Sequence, residues 1–263
     1  MDLGLRGKRA LLLAASQGLG RAAADALAAE GANVVVSSSH QGRCDEAAAA
    51  IAKAHGVKAF GITADLFQPA GMDRLFERTV KALGGVDILF VNHGGPQLGQ
   101  AKDLDADHLQ PQFNMMVASP IRLMLRVLSG MRERKWGRIV SLGSAGMVQA
   151  LPNKVMDNTL RPALMGFTKS LANEVAVDGV TVNMVIPGTF VTERVHNSTA
   201  SNAALWGITV DEAMKRRIEG IPAGRFGELR EFGAVVAFMC SEPASYINGS
   251  IVRVDGSQIR ANS

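Results

Sequence analysis

The chain has 263 residues, of which 47% are hydrophobic and 20% are charged, and its formal net charge is +4. This composition excludes long disordered segments and is sufficient for one large core. The mild positive charge suits an anionic small ligand and does not indicate a nucleic-acid partner. Cys44 and Cys240 lie far apart and lack metal-ligand spacing, so we expect no metal site and no disulfide. Free thiols fit a cytoplasmic protein.

Short apolar runs alternate with alanine-rich or amphipathic stretches along the whole chain. Apolar strands separated by helices predict a parallel sheet that is covered on both faces. The seven predicted strands are 9–15, 33–37, 58–62, 88–92, 138–142, 181–185 and 251–254. The predicted fold is a single α/β domain over residues 1–263, with a doubly wound seven-stranded parallel sheet that binds ligands beyond the carboxyl ends of its strands. No apolar run approaches the length of a membrane span, so we expect no membrane partner.

The segment 191–209 interrupts this alternation, because it is rich in Ser, Thr and Asn and contains Trp206. The sequence predicts a long loop there, within a substrate-loop region at about 189–220. It also predicts a helix that begins at a capping box formed by Thr209 and Glu212. A loop after the carboxyl end of a strand is interpreted either as a substrate lid or as a disordered surface loop.

A glycine-containing turn follows the first predicted strand and opens the next helix. Such a turn lets backbone N–H groups and the helix N-terminus approach a pyrophosphate. The same glycines also fit a plain tight turn. The candidate ligand-binding residues of this turn are Ala14, Ser16, Gln17, Gly18, Leu19 and Gly20.

This turn resembles the TGxxxGxG motif of the short-chain dehydrogenase/reductase family, with Leu13 and Ala14 in place of the threonine and the first glycine. The resemblance covers residues 5–257 and implies a Rossmann-type domain that binds NAD(P)(H). The most similar branch is that of the 3-oxoacyl-carrier-protein reductases. A β-carbon at Ala14 narrows the space for the pyrophosphate, so we expect weak cofactor binding.

Three further stretches resemble motifs of the same family and extend the implied cofactor site. They correspond to the pair that contacts adenine, the NNAG motif and the PG motif that faces the nicotinamide. The matching residues are Asp65 and Leu66, then Asn92, His93 and Gly94, and finally Pro187, Gly188 and Thr189 with Thr192.

The second predicted strand ends in Ser38 and Ser39. An acidic residue at this position would bind a ribose 2′-hydroxyl and favour NAD, and none is present. Hydroxyls, with His40 and Arg43 close by, tolerate a 2′-phosphate better than a carboxylate would. The sequence therefore slightly favours NADP(H) over NAD(H), although the serines also fit a plain strand end.

In the family, a serine is followed after thirteen residues by the tyrosine that donates a proton, and after four more by a lysine. An asparagine on an earlier helix supports a water relay. Ser144 and Asn114 match the serine and the asparagine, whereas Asp157 and Arg161 replace the tyrosine and the lysine. An ionised aspartate accepts protons rather than donating them, and arginine does not exchange them. We favour a plain i,i+4 salt bridge over a ribose or phosphate contact of Arg161.

Pro162 follows Arg161 immediately, and proline is tolerated only in the first turn of a helix. We therefore expect this helix to begin later than in the family and Asp157 to be displaced. His93 and Lys154 are the remaining titratable candidates near the cleft. His93 is interpreted as a hydrogen-bonded loop histidine, with proton donation as the alternative.

The resemblance implies an NAD(P)(H)-dependent oxidoreductase that acts on a carbonyl or hydroxyl group of a 3-oxoacyl-like small molecule, with an atypical active site. The alternative is a catalytically inactive member that binds a nucleotide or acyl ligand as a sensor or scaffold. The family also implies a homotetramer. The small and apolar face that includes Ala163, Gly166, Phe167, Ser170 and Leu171 suits close packing against another helix.

Overall fold

The computed structural model describes residues 1–96 and 98–261. Its seven strands form one sheet in the order β3-β2-β1-β4-β5-β6-β7, and every neighbouring pair is parallel. The bounds are β1 Arg9–Leu12, β2 Asn33–Ser38, β3 Ala59–Thr63, β4 Ile88–Val91, β5 Gly137–Leu142, β6 Val180–Pro187 and β7 Ile251–Val254. The predicted doubly wound parallel sheet is confirmed. The largest difference is in β1, which was predicted to reach residue 15 and ends at Leu12.

Helices cover both faces of this sheet. One face packs against α1, α2 and α9, and the other packs against α3, α5 and α6. The helix bounds are α1 Gly18–Ala29, α2 Gln41–His55, α3 Gly71–Leu83, α4 Leu109–Phe113, α5 Ser119–Glu133, α6 Val155–Val175, α7 Glu193–Trp206, α8 Val210–Glu219 and α9 Leu229–Met239. A π-helical turn, Asn114–Ala118, joins α4 to α5.

Alternation along each strand divides the core between these two layers. Leu12 contributes to the layer with α1, whereas Leu11 contributes to the layer with α3. Both are fully buried, because each face of the sheet is covered by helices. Phe232 of α9 meets Phe90 of β4 edge to face, with ring centroids 6.3 Å apart, and this contact ties the last helix to the centre of the sheet.

The prediction of a long loop over 191–209 was wrong, because most of this segment forms α7. Thr192 caps the helix, with its Oγ1 accepting from Val195 N at 3.2 Å. Ser198 and Thr199 donate their hydroxyls to Val195 O at 3.1 and 2.7 Å. The hydroxyls thus form hydrogen bonds with backbone groups of the helix itself, and they do not draw the backbone into a turn or loop conformation.

Helix α8 begins where the sequence predicted. Thr209 Oγ1 accepts from Glu212 N at 3.2 Å, and Glu212 Oε2 accepts from Thr209 N at 2.8 Å. The predicted capping box is therefore confirmed. Arg217 of α8 donates to Ser198 Oγ and Thr199 Oγ1 of α7 at 2.9 and 2.7 Å, which joins the two helices into one unit.

The expectation that Pro162 delays the start of α6 was also wrong, since the helix begins at Val155 and runs through the proline. Asn158 anchors this early start: its Oδ1 accepts from Leu151 N at 3.1 Å and its Nδ2 donates to Leu151 O at 2.9 Å. Buried residues on both sides of the proline hold α6 against the sheet. Tertiary packing thus outweighs the local cost of the proline.

In the part of the chain that the structure describes, no helix is both long and apolar enough to cross a bilayer.

Candidate active site

A cavity of about 440 Å³ opens at the carboxyl ends of the central strands. It lies where the strand order changes direction between β1 and β4, which is the position at which doubly wound sheets bind ligands. The structure brings most of the predicted cofactor residues together here. Those that line the cavity are Ala14, Ser16, Gln17, Gly18, Leu19, Ser38, Ser39, Asp65, Leu66, Asn92, His93, Gly94 and Thr192.

The turn after β1 delivers the N-terminus of α1 to this cavity. Helix α1 begins at Gly18, and the N-cap residue Gln17 makes no side-chain capping bond. Backbone N–H groups of a first helical turn lack partners within the helix and favour an anion. Gly18 has a φ of 58°, and a β-carbon there would meet nothing closer than Thr192 at 3.9 Å. The turn therefore leaves room for a phosphate group.

Ala14 stands where the motif has a glycine, and its backbone has a conformation that is typical of glycine. Its φ of 46° lies in the left-handed region that glycine adopts readily and alanine does not. Its carbonyl accepts from Asn92 Nδ2 at 3.0 Å, which ties the turn to the end of β4. Ala14 thus keeps the glycine backbone and adds a methyl group to the cavity wall.

Gly20 supports the turn from behind and does not line the cavity. A β-carbon at this position would lie 2.4 Å from Ala14 O and 2.8 Å from Ala15 Cα. Only glycine allows α1 to approach the turn this closely. The motif spacing was sufficient to identify Gly20, but this residue allows the helix to pack against the turn and does not face the cavity.

The end of β2 combines hydroxyls with a nearby cation. Ser38 Oγ lies 3.0 Å from Cys44 Sγ, a contact that the sequence pattern did not reveal. Ser39, His40 and Arg43 also line the cavity. Among the described residues Arg43 has no ion-pair partner, so its charge is available to an anionic ligand. Together, the uncapped helix, the glycine turn and Arg43 fit an anionic dinucleotide.

The predicted PG motif divides between two places. Gly188 packs against the segment after β7, where a β-carbon would lie 2.6 Å from Asp255 Cα. Thr189 N donates to Gln258 Oε1 at 2.9 Å. Pro187, Gly188 and Thr189 do not line the cavity, whereas Thr192 does. The motif therefore shapes the chain so that Thr192 and the start of α7 reach the cleft.

Asp157 and Arg161 form the i,i+4 ion pair that their spacing predicted. The Arg161 Nε donates to Asp157 Oδ1, and the two side chains are only 6% and 8% exposed, the first value being that of the aspartate. Arg161 Nη1 also donates to Leu142 O, the last carbonyl of β5, at 2.9 Å. Arg161 lines the cavity and Asp157 does not. The carboxylate therefore lies behind the guanidinium, away from the cavity wall.

Ser144 and Asn114 lie on different elements and do not line the cavity, although Leu142 and Met115 close to them in the chain do. Ser144 follows β5, and its Oγ accepts from Gly146 N at 3.2 Å. Asn114 starts the π-helical turn, where its Oδ1 accepts from Gln110 Nε2 at 2.9 Å. Within the described residues no hydrogen bond joins Ser144, Asn114 and Asp157. The serine and the asparagine therefore lie on separate elements with no direct hydrogen bond between them in the described part of the chain.

The other titratable candidates occupy the cleft rim or lie away from it. His93 is buried, and its Nδ1 lies 2.6 Å from Gly94 O, where the ring nitrogen must donate because a carbonyl only accepts. The favoured interpretation of a hydrogen-bonded loop histidine agrees with this contact. Lys154 precedes α6, beside a backbone bridge to Gly99. Tyr246, the only tyrosine of the sequence, is fully exposed after α9.

Comparisons with known proteins agree with this geometry. A family model described as Enoyl-(Acyl carrier protein) reductase matches residues 13–257. The 3-oxoacyl-[acyl-carrier-protein] reductase FabG of Aquifex aeolicus is 32% identical, covering 97% of this chain and 99% of its own. D-beta-hydroxybutyrate dehydrogenase of Cupriavidus necator is 32% identical, covering 96% and 98%.

The same relationship holds for solved structures. L-Sorbose reductase from Gluconobacter frateurii, complexed with NADPH and L-sorbose, superposes with a TM-score of 0.95 at 30% identity, over 99% of this chain and 100% of the other. Levodione reductase superposes with a TM-score of 0.90 at 26% identity, over 97% and 99%. Sequence and structure thus agree over nearly the whole length, and the chain belongs to the short-chain dehydrogenase/reductase family of oxidoreductases.

Proposed function

We propose that the protein is an NAD(P)(H)-dependent oxidoreductase that interconverts a carbonyl and a hydroxyl group on a small 3-oxoacyl-like substrate. The observation that carries the proposal is the cleft of about 440 Å³, in which the uncapped start of α1 meets the carboxyl ends of five strands, β1 to β5. Two relatives support it, because one is a 3-oxoacyl-[acyl-carrier-protein] reductase and the other a D-beta-hydroxybutyrate dehydrogenase.

When bound in this cleft, the cofactor would supply or accept a hydride at its nicotinamide. Gly18, Leu19 and Arg161 line the cavity, where the backbone of the two former residues would hold the pyrophosphate and Arg161 would orient the adjoining ribose. Ser144 donates its hydroxyl to the substrate carbonyl and fixes its direction. Because Asp157 is ion-paired behind Arg161, it does not donate the proton, which instead comes from water at the cleft.

An aspartate instead of a tyrosine at position 157 slows such a reaction without abolishing it. Holding the reactants in position supplies about 7–11 kcal/mol of the barrier reduction. A lost general acid costs about 10²–10⁴ in rate. Positioning therefore lowers the barrier more than a general acid does, and a cleft without the acid keeps this larger contribution.

We further propose that NADP(H) is slightly preferred over NAD(H). Ser38, Ser39 and Arg43 line the cavity where they would face a 2′-phosphate, and no carboxylate stands at the end of β2. In calorimetric titrations Arg43→Gln should weaken NADPH binding about tenfold, the scale of one hydrogen bond to a charged group, and leave NADH binding unchanged. A clear preference of the unmodified protein for NADH would contradict this proposal.

A second candidate function is that of a non-catalytic binding protein, and one observation favours it. Asp157 and Arg161 neutralise each other, so these two residues can serve a structural role without taking part in catalysis. Such a protein would bind a nucleotide or acyl ligand as a sensor or scaffold.

Turnover separates the two candidates. NADPH oxidation is followed with 3-oxoacyl thioesters, acetoacetate and a ketose, and binding of NADPH is measured in parallel by calorimetry. The oxidoreductase proposal expects turnover with at least one of these carbonyl compounds and its loss in Ser144→Ala. Tight NADPH binding with no turnover of any of them supports the binding protein.

We also propose a homotetramer, and the outer face of α6 supports it. Ala163, Gly166 and Ser170 are exposed on this face, and a β-carbon at Gly166 would meet nothing within 4 Å. Leu171, which was predicted to belong to the same face, instead packs into the chain's own core. Sedimentation at micromolar concentration tests the proposal, and a monomer would contradict it.

A further inference from the structure

A second cleft of about 440 Å³ lies beside the cofactor cleft, between the carboxyl end of β3 and helix α3. Arg74 and Arg78 line it and stand four residues apart on α3. The two clefts share Ala64 and Asp65 in their walls. The functions proposed above make no use of this second cleft.

Helix α3 separates its charges onto two faces. Both of its acidic residues, Asp73 and Glu77, face α5. Asp73 pairs with Arg122 at 2.5 Å and with Arg126 at 3.3 Å, and Glu77 lies 4.0 Å from Arg126. The negative charge of α3 is therefore already neutralised by the neighbouring helix.

Arg74 and Arg78 each follow one of these acids and so lie about 100° further around the helix. Among the described residues neither arginine has an ion-pair partner. Like charges four residues apart on a helix disfavour each other. Asp65 is the one acidic residue that lines the cleft, and its Oδ1 accepts from Phe67 N at 2.9 Å. The cleft thus has an excess of positive charge, because two guanidinium groups face the single carboxylate of Asp65, and among the described residues no ion pair joins Asp65 to either arginine.

We propose that Arg74 and Arg78 form an anion site that binds a phosphate group. Guanidinium groups present paired donors that match phosphate oxygens, and two of them balance a phosphate dianion. Gln68 and Thr63 line the same cleft with neutral polar side chains. The site is separate from the 2′-phosphate position, because Arg43 lines only the cofactor cleft.

The test is calorimetric titration of the full chain with inorganic phosphate and with glycerol 3-phosphate, at an ionic strength held constant with NaCl. Saturable binding is expected, and the double change Arg74→Gln with Arg78→Gln should weaken it at least about tenfold, the scale of one charged hydrogen bond. Lys53→Gln with Lys58→Gln removes the same charge from exposed positions outside the cleft and should leave binding unchanged.

Binding of both ligands assigns the site to a phosphate group whatever carries it, and binding of inorganic phosphate alone assigns it to the free ion. Arg43→Gln should keep this binding event, which separates the site from the cofactor cleft and from the outcome of the turnover experiment. Phosphate should also raise the melting temperature of the unmodified chain more than that of the Arg74, Arg78 variant. No saturable binding, or equal binding by that variant, would overturn the proposal.

Discussion

Asp157 and Arg161 are buried together one turn apart on α6, and each keeps the other from being an isolated charge. Removing one partner leaves the other charge unpaired in the interior. Asp157→Asn should therefore lower the free energy of unfolding by about 3–5 kcal/mol, measured by urea denaturation. The paired change Asp157→Leu with Arg161→Met should cost less, because no buried charge remains. Equal losses in the two variants would contradict a mutual neutralisation.

Ala14 holds a left-handed backbone, which costs a non-glycine residue about 1–2 kcal/mol, and its methyl group lines the cofactor cleft. Ala14→Gly keeps the backbone and removes the methyl group. NADPH binding should tighten by about 1 kcal/mol, which is about fivefold in Kd by calorimetry. Ser257→Gly is the matched control, since it replaces another residue of positive φ, 68°, away from the cleft. Unchanged NADPH affinity in Ala14→Gly would show that the methyl group does not restrict the site.

At the scale of elements, the sequence predicts what depends on hydrophobic pattern and motif spacing. The apolar runs of β1 to β7 and the capping box at Thr209 are such features. Helix α7 could not be predicted in this way, because Ser198 and Thr199 bond back to a carbonyl of their own helix, and composition does not record such bonds. The path of α6 through Pro162 depends on packing and on Asn158, which only the folded chain brings to Leu151.

The observed start of α6 at Val155 sharpens a prediction for the active site. Asp157→Tyr with Arg161→Lys should raise reductase activity toward an activated ketone by about 10²-fold, because tyrosine restores a neutral proton donor. Since Pro162 does not displace the helix, adding Pro162→Ala should give no further gain. Arg161→Lys alone is the control. A gain that appears only after Pro162→Ala would contradict the observed helix register.

At the scale of the molecule, the amino ends of the central strands are fixed by one carboxylate between two arginines. Asp87 lies 2.5 Å from Arg9 and 3.1 Å from Arg134. Burial alone would raise its pKa, but the hydrogen bonds and charge of Arg9, with the charge of Arg134, outweigh burial and hold the pKa below its usual range. The stability from this group is present above the unfolded carboxyl pKa of about 3.9 and is lost as the pH falls through the folded value.

Asp87→Asn should therefore lower the free energy of unfolding near pH 7 by about 2 kcal/mol, the scale of a hydrogen bond between charged groups. Below about pH 4, the free energy of unfolding of this variant should fall less steeply with decreasing pH than that of the unmodified chain. Urea denaturation across this range measures both effects, with Asp103→Asn as an exposed control. An unchanged acid dependence would show that Asp87 does not link folding to pH.

The position of the cleft could be predicted from the sequence because it follows from the order of strands and from glycine spacing. The side chains that line the cleft, and their contacts, could be predicted only in part. Spacing identified Arg161, but its bond to Leu142 O requires the folded strand. The cleft at Arg74 and Arg78 carries no motif, since it depends on which face of α3 meets α5.

The most direct test of the central claim is hydride transfer itself. The protein is incubated with NADPH deuterated at both hydrogens of the nicotinamide C4 and with a 3-oxoacyl thioester, and the product is analysed by mass spectrometry. The account predicts deuterium on the new carbinol carbon, at a rate that falls by about 10²-fold or more in Ser144→Ala. NADPH binding without any deuterated product from the thioester, acetoacetate or a ketose would contradict it.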